Sequence, residues 1–215
     1  MSIINATELA ILDELQGGTA FAADATLFAA LFTTVPADDG SGGVEANYTS
    51  YARVSVTNNT TNFPSANPKL NANAVNFPTA TGAQSGTVKA LGWFTALSGG
   101  TLRIIARLVD QIVPMFVGLN TGDIIWAPGH TFTDGVQVVL WAPAGTTLPT
   151  GLSADTPYYV ISTSGNSFQL SLTAGGAAIA ITADGSGSIG RSRHTTVGIG
   201  DTPSVAASGY SLSLD

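Results

Sequence analysis

Glycine, proline and asparagine interrupt this 215-residue chain at short intervals, which limits the secondary structure that it can form. The apolar stretches between them are short, and several alternate between the two faces of an extended segment. In YTSYARVSVTNN, Tyr51 and Arg53 share one face, and Ala52 and Val54 share the other. ATLFAALFTTVP, AVNFPTATG, GTVKALGWFTAL and GTLRIIARLV continue the series. The pattern predicts a mainly all-β fold with a β-sandwich or jelly-roll-like body.

The N-terminal segment NATELAILDELQ is the exception to this β pattern. Its leucines, Leu9, Leu12 and Leu15, lie near helical spacing. Asn5 or Thr7 can cap the start, and the Gly pair that follows can end the helix. A short N-terminal helix is therefore predicted.

The sequence changes character at about residue 120. DIIWAPGHTFTDGVQVVLWAP and GLSADTPYYVISTSGNSFQLSLT each predict two strands, and Gly165-Asn166 suits a hairpin turn. Together with GAAIAITADGSGSI they form an all-β block of roughly 70 residues, near the lower limit for independent folding. We predict a small domain at residues 120–190, inserted into a body made of residues 1–119 and 191–215.

Two similar stretches, VGLNTGD at residues 117–123 and VGIGD at residues 197–201, flank this block. One interpretation is that an insertion left a near-duplicate at each junction. The alternative is coincidence, because valine, glycine and aspartate are common at β-turns.

The charge of the chain argues against nucleic-acid binding. Seven Lys and Arg stand against fourteen Asp and Glu, the net charge is −7, and the basic residues form no run. Nucleic-acid binding depends on many phosphate contacts, which this chain cannot make. Charged residues are only 10% of the total, which suits a protein packed into an assembly.

Secretion and membrane insertion are also not indicated. The N-terminus has no basic start of the kind that signal peptides carry. Arg107, Asp110 and Pro114 interrupt the most apolar run, IIARLVDQIVPMFVGL, which argues against a membrane span. The expectation is a soluble protein made in the cytoplasm.

No enzyme or metal site is predicted. There is no cysteine, and the two histidines, His130 and His194, are too few and too far apart for a histidine metal site. The two DGSG stretches, which begin at Asp39 and Asp184, are predicted turns with too few oxygens for calcium, although a shared calcium site stays open. No serine-nucleophile motif or acid pair for glycan hydrolysis stands out, so catalytic, cofactor and metal residues are all predicted as none.

Two sets of side chains are candidates for contacts with other molecules. The aromatic residues of the middle block, which could stack on sugars, meet a protein or fill the core, are Trp126, Trp141, Tyr158 and Tyr159. Strand alternation allows only one of the two adjacent tyrosines to point inward. The arginines that could pair with acids of a neighbouring subunit are Arg53, Arg103 and Arg107.

The body resembles a family of tailed-bacteriophage virion proteins usually labelled phage tail fibre protein. The resemblance rests on TLFAALFTTVPADDGSGGVE, YTSYARVSVTNNTTNFPSA, VNFPTATGAQSGTVKALGWFTALSGGTLRIIARL and VGIGDTPSVAASGYSLSLD. Residues 127–187 resemble a separate small module found in phage tail and adhesin-type proteins.

The resemblance implies a non-enzymatic structural protein on the exterior of a virion. Capsid decoration or cementing is placed first, and the alternative is a tail-fibre or baseplate subunit, or an adhesin whose middle module contacts host-surface glycan. A hydrolase is a weaker third hypothesis. The expected partners are major capsid or tail proteins and further copies of the chain, with no nucleic acid and no membrane.

Overall fold

The computed structural model describes residues 2–65 and 67–212. The last position of the predicted closing strand, Leu214, lies outside the described residues. The chain forms two compact units. Unit 1 is the described part of Met1–Leu108 and His194–Asp215, and unit 2 is Val109–Arg193.

Strands dominate both units, and a short helix stands at the N-terminus, which confirms the predicted fold class. In chain order the elements are β1 Ser2–Ile3, α1 Asn5–Leu12, a π-helical turn Asp13–Gly17, β2 Thr26–Thr34, β3 Val44–Glu45, β4 Val54–Thr57, β5 Lys69–Leu70, β6 Val75–Asn76, β7 Ala90–Phe94, β8 Leu102–Arg107, β9 Val109–Leu119, β10 Ile124–Trp126, β11 Gln137–Trp141, β12 Tyr158–Ser164, β13 Ser167–Ser171, β14 Gly185–Ser192, β15 Ser204–Val205 and β16 Ser211–Leu212.

Unit 1 is built on an antiparallel sheet with strand order β1-β8-β7-β2-β3, in which β4 also pairs with β2. Two small ladders, β5 with β16 and β6 with β15, complete its strands. One face of the sheet, which includes Leu31 and Trp93, packs in a core cluster with residues of these ladders such as Val75. The opposite face buries Phe32 and Ile105 in a second cluster. Because the central strand β2 is covered on both faces, its sequence is a continuous apolar run.

The helix begins differently from the prediction. Neither Asn5 nor Thr7 caps it, since its N-cap is Ile4 and no side chain bonds there. Its end agrees with the prediction, because Gly18 follows the π-helical turn with a φ of 69°, in the left-handed region.

Unit 2 is a closed antiparallel barrel with strand order β10-β13-β12-β11-β14-β9, and β9 pairs back with β10. Its interior is filled by apolar side chains such as Phe116, Ile125, Val160 and Phe168, all at most 1% exposed. In a closed barrel every strand has a neighbouring strand on each side, so the sheet has no edge strand.

The duplicated stretches do not mark the ends of unit 2, so that interpretation is wrong. VGLNTGD runs from the end of β9 into the turn before β10, inside unit 2, because β9 pairs with β10 and β14. VGIGD is a loop of unit 1, where the Gly198 amide donates to the Asp201 carboxylate at 2.7 Å.

The chain ends of each unit lie close together. In unit 2, Val109 and Ser192 are opposite each other in neighbouring strands. In unit 1, the Leu108 amide donates to the Lys89 carbonyl at 2.8 Å, and the adjacent Val88 forms a bridge with Thr195. Adjacent ends are the geometry that an insertion requires.

Candidate functional site

The outer face of strands β9 and β10 carries an apolar surface, which we call the outer strip. It consists of Met115, Val117 and Leu119 on β9 and of Ile124 and Trp126 on β10. These side chains alternate with buried barrel residues, as the period of two in a strand requires. Leu119 is opposite Ile124, and Val117 is opposite Trp126. Met115 is 66% exposed and Trp126 is 46% exposed.

The hairpin that joins β9 to β10 is fixed by side chains from other parts of unit 2. The Asn120 amide donates to the Asp184 carboxylate at 2.7 Å. The Asp123 carboxylate accepts from the Ile181 amide at 2.7 Å, and the Gln169 side-chain amide donates to the Gly122 carbonyl at 2.8 Å. The outer strip therefore lies beside a hairpin whose backbone is fixed by hydrogen bonds to other segments of unit 2.

Uncharged polar residues border the outer strip. Ser167 on β13 is opposite Trp126, and Ser186 on β14 is opposite Val117. None of the five residues of the strip is charged. An exposed apolar centre with a polar border is typical of a surface that contacts another molecule.

The four predicted aromatic residues are not brought together. Trp126 is exposed, Trp141 and Tyr159 are half-buried, and Tyr158 is buried with its hydroxyl accepting from the Ser153 amide at 2.8 Å. Strand β11, which carries Trp141, lies three strands from β10 in either direction around the barrel. Trp126 is thus the member of this set that belongs to the outer strip. The contact role of the set stays a prediction.

The predicted arginine Arg53 is used within its own chain. It donates to both oxygens of Glu45, at 3.1 and 2.5 Å, and to the carbonyls of Ala96 and Gly99, both at 2.7 Å. Its guanidinium carbon lies 3.4 Å from the centroid of the Phe94 ring. Only 8% of its side chain is exposed, so these contacts fix a loop of unit 1.

The other two arginines also have partners in the structure. Arg103 pairs with Asp24 at 2.8 Å, and Arg107 is half-buried. The role of these three arginines at a subunit interface stays a prediction, and the charges of Arg53 and Arg103 already face acids of the same chain.

His130 packs among aromatic rings. Its ring lies edge-on to Phe168 at 4.9 Å and stacks on Phe132 at 5.6 Å. Its Nδ1 accepts from the Phe132 amide at 3.2 Å. Across residues 2–65 and 67–212, no group of three or more histidines and acids could hold a metal ion.

The two DGSG stretches differ in structure. The first is a turn, in which the Asp39 carboxylate accepts from the Ser41 amide at 2.8 Å. Hydrogen bonds from Ser41 keep the pKa of Asp39 below its usual value. The second is not a turn, because Gly185 and Gly187 belong to β14. A Cβ on Gly185 would lie 2.6 Å from the Leu148 carbonyl carbon and the Thr147 oxygen, so close packing accounts for this glycine.

Comparison with protein families identifies the group to which the chain is related. The family model described as podophage GP4 fiber I protein gp80 matches residues 2–115, more than half of the chain. The chain belongs to this family. No curated protein matches it.

Membership of the podophage fibre family makes the chain a virion component and agrees with the resemblance to phage tail fibre proteins. It favours the tail-fibre alternative over capsid decoration. The match ends at residue 115 and therefore leaves the proposed resemblance of residues 127–187 to a small phage module untested. No helix among the described residues is both long and apolar enough to cross a membrane.

Sequence reasoning missed most of the outer strip of this fibre-family protein. The alternation of Met115, Val117 and Leu119 with Phe116 and Gly118 was readable in the sequence. The alternation is hard to recognise because the neighbouring residues are also apolar, so the whole segment resembles one long hydrophobic run more than a strand with two different faces.

Proposed function

We propose that the chain is a non-enzymatic tail-fibre or baseplate subunit of a short-tailed phage. In this proposal unit 1 assembles with other virion proteins, and the inserted barrel contacts host-surface glycan through the outer strip. The observation that carries the proposal is the fibre-family match over residues 2–115, which spans most of unit 1.

Exposed leucines on helix α1 and on the π-helical turn that follows it support the assembly role. Leu9, Leu12 and Leu15 are 60%, 59% and 72% exposed. Apolar side chains exposed together in this way are typical of surfaces that meet another protein. Further copies of the chain or other tail proteins are the proposed partners, and closed symmetry is the common form of such assemblies.

The exposed indole of Trp126 supports the glycan role. Aromatic rings stack on the apolar faces of sugars, and hydroxyl groups beside the ring can bond the sugar hydroxyls. Trp126 is 46% exposed, and Ser167 lies directly opposite it. The aliphatic neighbours Val117 and Met115 extend the surface on which a sugar ring would rest.

Copy number in purified particles tests the position in the virion. We expect quantitative mass spectrometry, scaled to the major capsid protein, to give a number of copies that matches the symmetry of the tail, a few tens at most. Labelling of the chain in electron micrographs should mark the tail. Hundreds of copies distributed over the head would overturn the proposal in favour of capsid decoration.

A matched pair of variants tests the glycan contact. Trp126→Ala should abolish binding of the purified chain to host-envelope polysaccharide and leave its thermal unfolding unchanged. Leu172→Ala removes another exposed side chain, 67% exposed, that lies outside the outer strip, and should bind normally. Equal binding by both variants would show that the outer strip does not contact glycan.

A further inference from the structure

Unit 1 contains a cleft of about 420 Å³ that is distinct from the outer strip. Helix α1 lines it with Ile11, and the core cluster lines it with Leu27, Phe63, Trp93 and Ile104. The main core of unit 1 is therefore open at this point. A volume of this size and a mostly apolar lining fall within the range of small-molecule sites.

Two buried polar atoms in the lining have no hydrogen-bond partner among the described residues. They are the indole Nε1 of Trp93 and the hydroxyl oxygen of Thr7. Their residues are 1% and 6% exposed. A buried donor without a partner destabilises the fold by about 1–3 kcal/mol, so such groups usually meet an acceptor. Polar side chains such as Asn58, Asn59 and Thr60 also line the cleft, yet these two atoms bond to none of them. An occupant with an acceptor oxygen would supply the missing partner.

The described lining of the cleft carries a net positive charge, because its one carboxylate is paired with an arginine and a lysine remains. Asp24 lines the cleft, but Arg103 neutralises it at 2.8 Å. Lys69 also lines the cleft, and its ammonium group contacts the Phe63 carbonyl at 3.3 Å. Among the described residues, no carboxylate forms an ion pair with Lys69.

We propose that this cleft binds an aliphatic carboxylate. The chain of the ligand occupies the apolar space, and its carboxylate pairs with Lys69 and offers acceptor oxygens to the unpartnered groups of the lining. An aliphatic amine would be repelled by Lys69. The site lies in unit 1 and does not depend on the proposed glycan contact of unit 2.

Binding of three ten-carbon probes to the full chain tests the proposal. Decanoate, decanol and decylamine are titrated below their micelle-forming concentrations by calorimetry. We expect one saturable site, with decanoate binding about tenfold more tightly than decanol and decylamine binding weakest, because only the carboxylate forms a charge-assisted bond with Lys69. This comparison requires no variant and so does not depend on the folding of one.

Two lysine variants then locate the site. Lys69→Met keeps the aliphatic stem and removes the charge, so decanoate affinity should fall to that of decanol while decanol affinity stays unchanged. Lys89→Met removes a charge of unit 1 that does not line the cleft and should bind like the parent. Absence of saturable binding, equal affinity for decanoate and decanol, or equal loss in both variants would overturn the proposal.

Discussion

Arg191 and Asp110 are opposite each other in strands β14 and β9 and form a two-point ion pair, with both nitrogen–oxygen distances at 2.7 Å. Arg193 adds a further bond to the same carboxylate at 2.7 Å. All three residues lie within three positions of an end of unit 2. The pair therefore joins the first and last strands of the barrel where the chain enters and leaves it.

Replacing Asp110 with Asn should reduce the stability of unit 2 most at neutral pH. Hydrogen bonds from Arg191, and then from Arg193, hold the pKa of Asp110 below its usual value. Its carboxylate therefore stabilises the fold above the unfolded pKa of about 4, and this contribution is lost as pH falls through the lower folded pKa. Because the group is about one-third exposed, we expect a loss of at most about 1 kcal/mol.

Urea unfolding of the parent and of Asp110→Asn, followed from neutral to acid pH, measures this effect. The difference between the two proteins should shrink as the pH decreases below about 4. A difference that stays constant across this range would show that the charge of Asp110 does not stabilise the fold.

Arg53→Ala should destabilise unit 1 by about 3 kcal/mol, because the two carbonyls lose this donor and Glu45 keeps only the bond from the Tyr51 hydroxyl. Arg53→Lys should lower the free energy of unfolding nearly as much, since an ammonium group cannot reproduce the planar fork that bonds both oxygens of Glu45. Thermal unfolding of both variants measures the effect. Arg193→Lys, at a side chain that is 56% exposed, is the control and should change stability little. A lysine variant as stable as the parent would contradict the expectation.

The alternation of β9 can be tested with two neighbouring residues. Phe116 is 0% exposed and fills the barrel, so Phe116→Ala should cost about 3–5 kcal/mol. Met115 points outward and is 66% exposed, so Met115→Ala should change the free energy of unfolding by less than about 0.5 kcal/mol. Denaturant unfolding distinguishes the two, and a larger effect at Met115 would mean that the strand faces are reversed.

The proposal that unit 2 is an inserted domain predicts that residues 109–193 fold alone. Val109 and Ser192 are paired in neighbouring strands, so cutting the chain at these ends leaves the strand pairing of the barrel intact. The isolated fragment should unfold cooperatively on heating and give dispersed amide resonances. The matching deletion, with Leu108 joined to His194 by a short glycine linker, should leave unit 1 folded. A fragment without cooperative unfolding would argue that the two units form one domain.

Local features of the fold were predictable because local sequence determines them. ATLFAALFTTVP predicted a strand, and β2 covers Thr26–Thr34 within it. Gly165-Asn166 predicted a hairpin, and Ser164 pairs with Ser167 across a turn in which Gly165 has a φ of 59°. In both cases the signal comes from residues that are adjacent along the chain.

The closure of the barrel was not predictable because it joins distant residues. Strand β9 pairs with β14, more than sixty positions further along the chain, although β9 contains Pro114. The register shifts between the pairs of Gly187 and Ile189, and the Ser188 hydroxyl donates to the Pro114 carbonyl at 2.7 Å. Such an irregularity accommodates a residue without an amide hydrogen, but the sequence alone does not reveal which strand will supply the partner.

The closed ladder of unit 2, all of whose residues are described, also affects how such a protein can evolve. Since every barrel strand already has a neighbour on each side, the proposed attachment through this unit would depend on side chains that point outward. The outward-facing residues of β9 and β10 can then be substituted without changing the side chains that fill the barrel. If unit 2 contacts the host as proposed, single-codon changes at these positions would alter which host surface is bound while the fold is inherited intact.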